Sequence, residues 1–340
     1  MKEHAVTIYD ISKQAGVSIA TVSRVLNGSD NVSEATRQKV LKAMEESGYT
    51  PNAFARGLGL NTMKTIGIMA ADSSDPYLAK GIYFLEQLLR GEGYDCLLCC
   101  TGYSLKNRIA SMELLITKKV DGIILVGSNF VYEDDADNKY ILDAAAQVPV
   151  MLLNAALDAP NVYSITSDDY TSMYNAANML ISEGITDILY FFNSRSYSGR
   201  RKEAGFRDAM KAGGLSTGDG TLQFYRGNRE DVPAMADLLE HVWDQGHHFE
   251  AVLASDDTLA ISALKFAVRK GLKIPEELSV IGYNNSMLTA CVTPELSSID
   301  NRQETLCQHL TATLMGVLGG NEMPKQTVFA GELIRRGTTR

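Results

Sequence analysis

Histidine and cysteine are both scarce in this chain, with five of each in 340 residues, and no apolar run approaches the about 18 residues needed to cross a bilayer. The start, Met1-Lys2-Glu3-His4-Ala5-Val6-Thr7, lacks the apolar core of a secretory signal, so the chain reads as cytoplasmic with no membrane partner. Three of the cysteines, Cys96, Cys99 and Cys100, fall in one apolar run that reads as a buried strand. A strand sends Cys99 and Cys100 to opposite faces, so no metal is expected there. His241, His247 and His248 fall at a predicted helix end, where solvated or capping histidine is the ordinary reading. Neither Gly-x-Gly-x-x-Gly nor a phosphate-binding loop follows the first apolar strand, and the serines between Asn193 and Arg201 have no placed histidine. The chain is expected to be no enzyme and to need no cofactor.

Positive charge is also lacking overall: 32 Lys and Arg stand against 41 Asp and Glu, a net of −9. The deficit is uneven. Residues 1–60 carry seven basic and six acidic side chains, which leaves −10 for the rest. A near-neutral small segment attached to an acidic body can still meet a polyanion. The length exceeds what one core usually spans, so two or three domains are expected.

Residues 7–27 read as two short helices joined by a tight turn. Thr7 can cap the first helix, with Asp10 accepting from backbone N–H groups, and Ile8, Ile11 and Ala15 share a face. Gly16 suits a turn at positive φ, and Ser18 can cap the second helix. That helix, from about Ile19 to Asn27, turns Val22, Val25 and Leu26 inward and leaves Ile19, Ala20, Thr21, Ser23 and Arg24 outward. A third helix, capped by Ser33 and ended at Gly48, is expected to bury Val40, Leu41 and Met44.

The run Thr-Val-Ser-Arg-Val-Leu-Asn, followed by Tyr49-Thr50-Pro51-Asn52-Ala53, resembles the lactose/galactose repressor (LacI/GalR) family of bacterial transcription regulators. Later landmarks are collinear with it: Asp75-Pro76-Tyr77, Asp121-Gly-Ile-Ile-Leu, Gly205-Phe206-Arg207, Ser255-Asp256-Asp257 and Ile274-Pro through Tyr283. The resemblance implies a palindromic double-stranded DNA operator as partner. Ile19, Ala20 and Arg24 would face base edges, while Thr7, Ser18, Thr21, Ser23 and Asn27 would contact phosphates. It further implies a hinge over 50–61, with Asn52 and Ala55 at DNA and Leu58 wedged into the central base step. Alone this segment should be coil, since Gly57 and Gly59 each cost about 1 kcal/mol in a helix that is already short.

Beyond Thr65, short apolar runs alternate with longer amphipathic stretches, at Ile66 to Met69, Cys96 to Cys100, Gly122 to Val126, Val150 to Leu153, Ile188 to Phe192, Ala251 to Ala254 and Val280 to Tyr283. Such alternation predicts parallel sheets covered by helices. The expected architecture is a small all-α helix-turn-helix head plus an α/β two-lobed periplasmic-binding-protein-like domain. Its divisions are a head over 1–49, a hinge over 50–61, and an effector-binding and dimerisation domain over 62–340. Lobe 1 would span about 62–163 and 293–321, and lobe 2 about 164–292 and 322–340.

A small-molecule effector would sit at the strand ends between the lobes. The resemblance carries over Ser73, Ser74, Asp75, Tyr77, Asn154, Lys202, Arg229, Asp256 and Asn284 as its contacts. Lys202 replaces the usual Arg, Asn284 the usual Asp, and Arg229 a common aromatic. Together these changes suit an anionic ligand such as a sugar phosphate, while a neutral sugar or a nucleoside stays open. A palindrome requires a homodimer, for which the stripe Tyr77, Lys80, Gly81, Phe84 and Leu88 is a candidate face, although a core role accounts for most of it. Two alternatives remain: a soluble small-molecule receptor without operator function, and a regulator controlled by a protein partner.

Overall fold

The computed structural model describes residues 6–26, 31–49, 62–218 and 220–340. Asn27, Asn52, Ala55, Leu58 and the rest of the expected hinge lie outside them. The chain divides into two compact units, residues 1–65 with 119–121, and the remainder.

In the first unit, α1 (Ile8–Ala15), α2 (Ile19–Leu26) and α3 (Glu34–Ser47) close one small core around Ile11, Val22, Val25, Val40 and Ala43. The caps follow from local chemistry. The Asp10 carboxylate accepts from both the N–H and the hydroxyl of Thr7, at 2.8 and 2.7 Å. Gly16 ends α1 at φ 64°, a conformation that strains any residue with a Cβ. Ser18 Oγ then accepts from the N–H of Thr21 at 3.2 Å. One expectation fails. Leu41 is 43% exposed and Ala43 is buried in its place, because steps of three and four from Val40 reach Ala43 and Met44 whereas Leu41 lies about 100° around the helix.

The second unit is built on two six-stranded sheets. The first has the order β11-β5-β4-β3-β1-β2, from β1 (Thr65–Ala70), β2 (Asp95–Cys100), β3 (Gly122–Val126), β4 (Val150–Leu153), β5 (Val162–Ser167) and β11 (Gln326–Phe329). The second has the order β12-β10-β9-β8-β6-β7, from β6 (Ile188–Phe192), β7 (Leu222–Phe224), β8 (Ala251–Ala254), β9 (Ser279–Tyr283), β10 (Ser297–Asp300) and β12 (Glu332–Ile334). The β10 to β12 pair is antiparallel, a common edge addition to a parallel sheet. Helices α4 (Pro76–Gly91) and α11 (Gln303–Leu318) share one core with the first sheet. In the second lobe α9 (Val232–Asp244) and α10 (Asp257–Lys270) cover one face, and α7 (Asp169–Ser182) and α8 (Tyr197–Ala212) the other.

The chain passes between the sheets at 168, at 301–302 and at 330–331, about four to nine residues beyond the expected lobe bounds. Ser- and Thr-containing segments such as Val162–Ser167 and Ser297–Asp300 look like connections, yet they are buried strands. In the second, Ser298 Oγ donates to Asp257 at 2.6 Å and Ser297 Oγ pairs with Thr339 Oγ1 at 2.9 Å. The cysteine strand also departs from expectation: β2 is a sheet edge, with Cys96 and Cys99 half-buried and Cys100 exposed. On α4, Gly81 is buried and Tyr77, Phe84 and Leu88 pack on the lobe 1 core, so most of the proposed dimer stripe is interior. No helix among the described residues is long and apolar enough to cross a membrane.

Candidate functional site

Two surfaces carry functional chemistry, one on each unit. On the first, α2 turns Ile19, Ala20 and Arg24 to solvent beside the exposed Ser18, with Thr21 and Ser23 half-buried. Ser18 Oγ and Thr21 Oγ1 are 2.9 Å apart, so these hydroxyls are already oriented together. Two apolar groups and one guanidinium on the exposed face of a short helix can enter a major groove, where a guanidinium pairs bidentately with guanine.

On the second unit, a cavity of about 560 Å³ opens between the lobes at the carboxyl ends of the strands. Ser74, Asp75, Tyr77, Asn154, Lys202, Arg229, Asp256 and Asn284 all line it. Ser73 does not and is exposed: Asp72 Oδ1 accepts from both the N–H and the hydroxyl of Ser74, a tight turn that puts Asp72 on the lining instead.

At the back of the cavity runs a chain of amides. Asn154 and Asn284 end β4 and β9 at φ 64° and 94°, positions in the left-handed region that asparagine tolerates better than most residues. The Asn154 amide donates to the hydroxyl of Tyr77, and Asn301 Nδ2 donates to the same hydroxyl at 3.1 Å and to Asn284 Oδ1 at 3.2 Å. Asn301 lies where the chain crosses between sheets, so one side chain links groups from both lobes. Its own Oδ1 is buried without a partner, and Asn129 Oδ1, also of a lining residue, is likewise unpaired.

The charged groups are mostly committed. Asp75 caps α4, accepting from the N–H groups of Tyr77 and Leu78 at 2.9 and 3.0 Å, while burial raises its pKa. Asp256 caps α10 and accepts from Asn193 Nδ2 at 2.8 Å. Asp257, one residue on, accepts from Ser298 Oγ at 2.6 Å and Ser286 N at 2.7 Å; burial pushes it up to about 6 against those bonds. A Cβ at residue 282 would collide with this carboxylate, which is why β9 carries Gly282 there. Lys202, 7% exposed, donates to the carbonyl of Ser255 at 3.0 Å and lies 3.5 Å above the Tyr283 ring. Burial lowers its pKa, with Asp169, Asp256 and Asp257 opposing. Arg229 reaches the Asn193 carbonyl at 3.3 Å and stacks on Tyr103.

Sequence reasoning placed Asp257 beside Asp256 at the cleft, where it lies, but missed Tyr103, Asn129, Asn193 and Asn301 on this lining. Their signal was position: each stands just past a strand's carboxyl end, where ligands of such sheets bind.

Residues 7–52 match the pattern of bacterial regulatory proteins of the lacI family, and residues 177–339 match a periplasmic binding protein-like domain. A helix-turn-helix (HTH)-type transcriptional regulator of Lachnoclostridium phytofermentans is 51% identical over 332 residues, spanning 98% of this chain and 99% of that one. The HTH-type transcriptional regulator AscG of Escherichia coli is 32% identical, with 97% of each chain covered. The fold is shared with the lac repressor dimer bound to operator and the anti-inducer ONPF, at a TM-score of 0.86, 23% identity and 99% coverage of both chains. The chain belongs to the lacI family of bacterial regulatory proteins and is a helix-turn-helix transcriptional regulator, not an enzyme.

Proposed function

We propose that this regulator represses transcription in the cytoplasm as a homodimer on a palindromic operator, and that an uncharged, polyhydroxylated small molecule of the sugar class in the cleft controls its operator affinity. The cavity lining carries the reading. Five carboxylates, Asp72, Asp75, Glu230, Asp256 and Asp257, face three cations, Lys80, Lys202 and Arg229. Lys202 and Arg229 are already engaged with carbonyls and aromatic rings. An anion would have to enter a cavity with more carboxylates than cations, where two of the three cations already meet carbonyls and rings, which turns the charge substitutions away from a sugar phosphate. Hydroxyl groups, by contrast, both donate and accept, which suits a lining rich in amides (Asn129, Asn154, Asn193, Asn284, Asn301), and the volume falls in the ordinary range for small ligands.

Thermal unfolding of the full chain with matched neutral sugars, nucleosides and sugar phosphates tests this. Saturation at a hundred times Kd adds about 2.7 kcal/mol. A Tm rise with neutral sugars is expected, and a rise confined to phosphorylated compounds would overturn the reading. On the head, Arg24→Ala should relax selectivity at one position per half-site by about 1–3 kcal/mol in operator selection. Equal loss on every sequence would make Arg24 a phosphate contact. The hinge, with Asn52, Ala55 and Leu58 at the minor groove, rests on the family resemblance; Gly57→Ala should tighten operator binding and blunt the effector response.

A further inference from the structure

At the rim of the cavity the two lobes touch through side chains. Tyr103 follows β2 in lobe 1 and is 48% exposed; Arg229, also exposed, precedes α9 in lobe 2. Both line the cavity, and the guanidinium carbon lies 5.2 Å from the centre of the phenol ring. The same guanidinium donates to the carbonyl of Asn193 at 3.3 Å, which anchors it to its own lobe. Its charge reaches two carboxylates of the opposite lobe. Asp72, held down first by the hydroxyl and N–H of Ser74, is lowered further by Arg229, and in Asp75 the arginine works against the rise that burial causes. Elsewhere between the lobes, Arg200 pairs with Glu133 at 2.9 Å, Ser196 Oγ meets Ser128 Oγ at 2.8 Å, and the N–H of Tyr197 donates to the Ser128 carbonyl at 3.1 Å.

We propose that Arg229 and Tyr103 form a clasp across the mouth of the cleft, and that the clasp sets ligand charge. A guanidinium is weakly hydrated and planar, so it can stack on a ring without losing its hydrogen bond to Asn193. Near that ring it places a positive charge beside Asp72 and Asp75, so the closed cavity holds a cationic ligand less well than the two aspartates alone would. With Arg229 removed, the two aspartates would face the cavity uncompensated and an ammonium group would gain. The selectivity rests on the proposal of a small-molecule ligand; the clasp itself does not.

Backbone hydrogen exchange on the full chain without added ligand tests the clasp. Tyr103→Ala should speed exchange of residues 226–231, on the other lobe, about two- to five-fold, and Arg229→Ala should do the same for 101–104. Tyr103→Phe keeps the ring face and should behave as the unaltered protein. Unchanged exchange across the cleft in both alanine variants would overturn the clasp. Selectivity is read from thermal shifts with glucose against glucosamine and galactose against galactosamine. Arg229→Gln should move the preference toward the amino sugar about two- to five-fold. If the preference does not move, or the amino sugars show no gain, the charge-setting role is wrong. If no neutral sugar shifts the unaltered protein, the functional reading fails while the exchange result still judges the clasp.

Discussion

Arg108 in lobe 1 and Lys202 in lobe 2 are both cations almost wholly withdrawn from water, 2% and 7% exposed, and among the described residues neither forms an ion pair with a carboxylate. Both rest on aromatic rings: Arg108 lies 4.9 Å from the centre of Phe130 and 5.3 Å from that of Tyr132, and Lys202 lies 3.5 Å from that of Tyr283. Their chemistry differs. A guanidinium carries several donors, and one of them, Arg108 Nη1, donates to both the Asn129 carbonyl and the Tyr132 hydroxyl. It braces the loop that carries one wall of the cleft. Lys202 makes one bond, to a carbonyl, on the cavity lining itself, and burial pulls its pKa down. One wall is fixed by a cation that ties two groups of a loop together; the other holds a cation whose pKa burial lowers.

Removing the cations should separate the two roles most sharply. Arg108→Ala deletes a large, fully packed side chain and orphans two acceptors, a change expected to cost about 3–5 kcal/mol. Lys202→Met keeps the volume, frees one carbonyl and removes a desolvated ammonium, so it should stay within about 1 kcal/mol of the parent or stabilise it. Urea unfolding of the two variants measures both. Equal losses would dissolve the distinction and make Lys202 a brace like Arg108.

The next largest effect is in pH. Asp257 has its folded pKa raised from 3.8 to about 6 by burial. Between those values the folded chain keeps a proton that the unfolded chain has shed, so stability falls as pH rises through the window, by roughly 3 kcal/mol in all. Asp75 on the facing wall is raised the same way and adds to the slope. Asp257→Asn should flatten that fall without abolishing it. Lys202 works at the other end, because its folded pKa lies below the unfolded value. There the unfolded chain binds the extra proton, and stability should rise with pH toward the unfolded lysine range near about 10.4. Lys202→Met should remove that rise, and Arg108 variants should leave both slopes as they are. Denaturant midpoints from pH 4 to 10 decide it.

This contrast also explains how much the sequence discloses. The head was legible because its signals are local: Asp10 lies three residues from Thr7, Gly16 sits between two amphipathic helices, and Ser18 and Ser33 each cap the helix that begins at the next residue. The alternating strands were legible for the same reason. In the cleft, strand-end position identifies most of the lining, but the state of each polar group is set by distant partners. Asn301 finds Tyr77 from 224 residues away, and Lys202 finds the carbonyl of Ser255 from 53. Carbonyls and ring faces leave no mark in a residue pattern. Lys202 and Arg229 therefore read as cations that suit an anion, with a neutral ligand left open, and the carbonyls and rings they meet appear only in the fold.

The smallest effect expected lies where the two walls meet at Arg200 and Glu133. Their side chains retain 34% and 72% of their exposure, so water and salt screen the pair, and its contribution to unfolding should be no more than about 0.5 kcal/mol. Glu133→Gln should accordingly leave the urea midpoint almost unmoved, at low and at high salt. The same substitution should matter more for the motion of the lobes than for their stability, since Arg200 leads into the Ser196 and Tyr197 contacts with Ser128 and no core residue depends on it. A destabilisation above about 1 kcal/mol, or one that persists in high salt, would mean that the lobes act as one cooperative body. In that case the difference between a braced wall and a titrating wall could not be read from unfolding, and the Arg108 and Lys202 variants would have to be compared by hydrogen exchange instead.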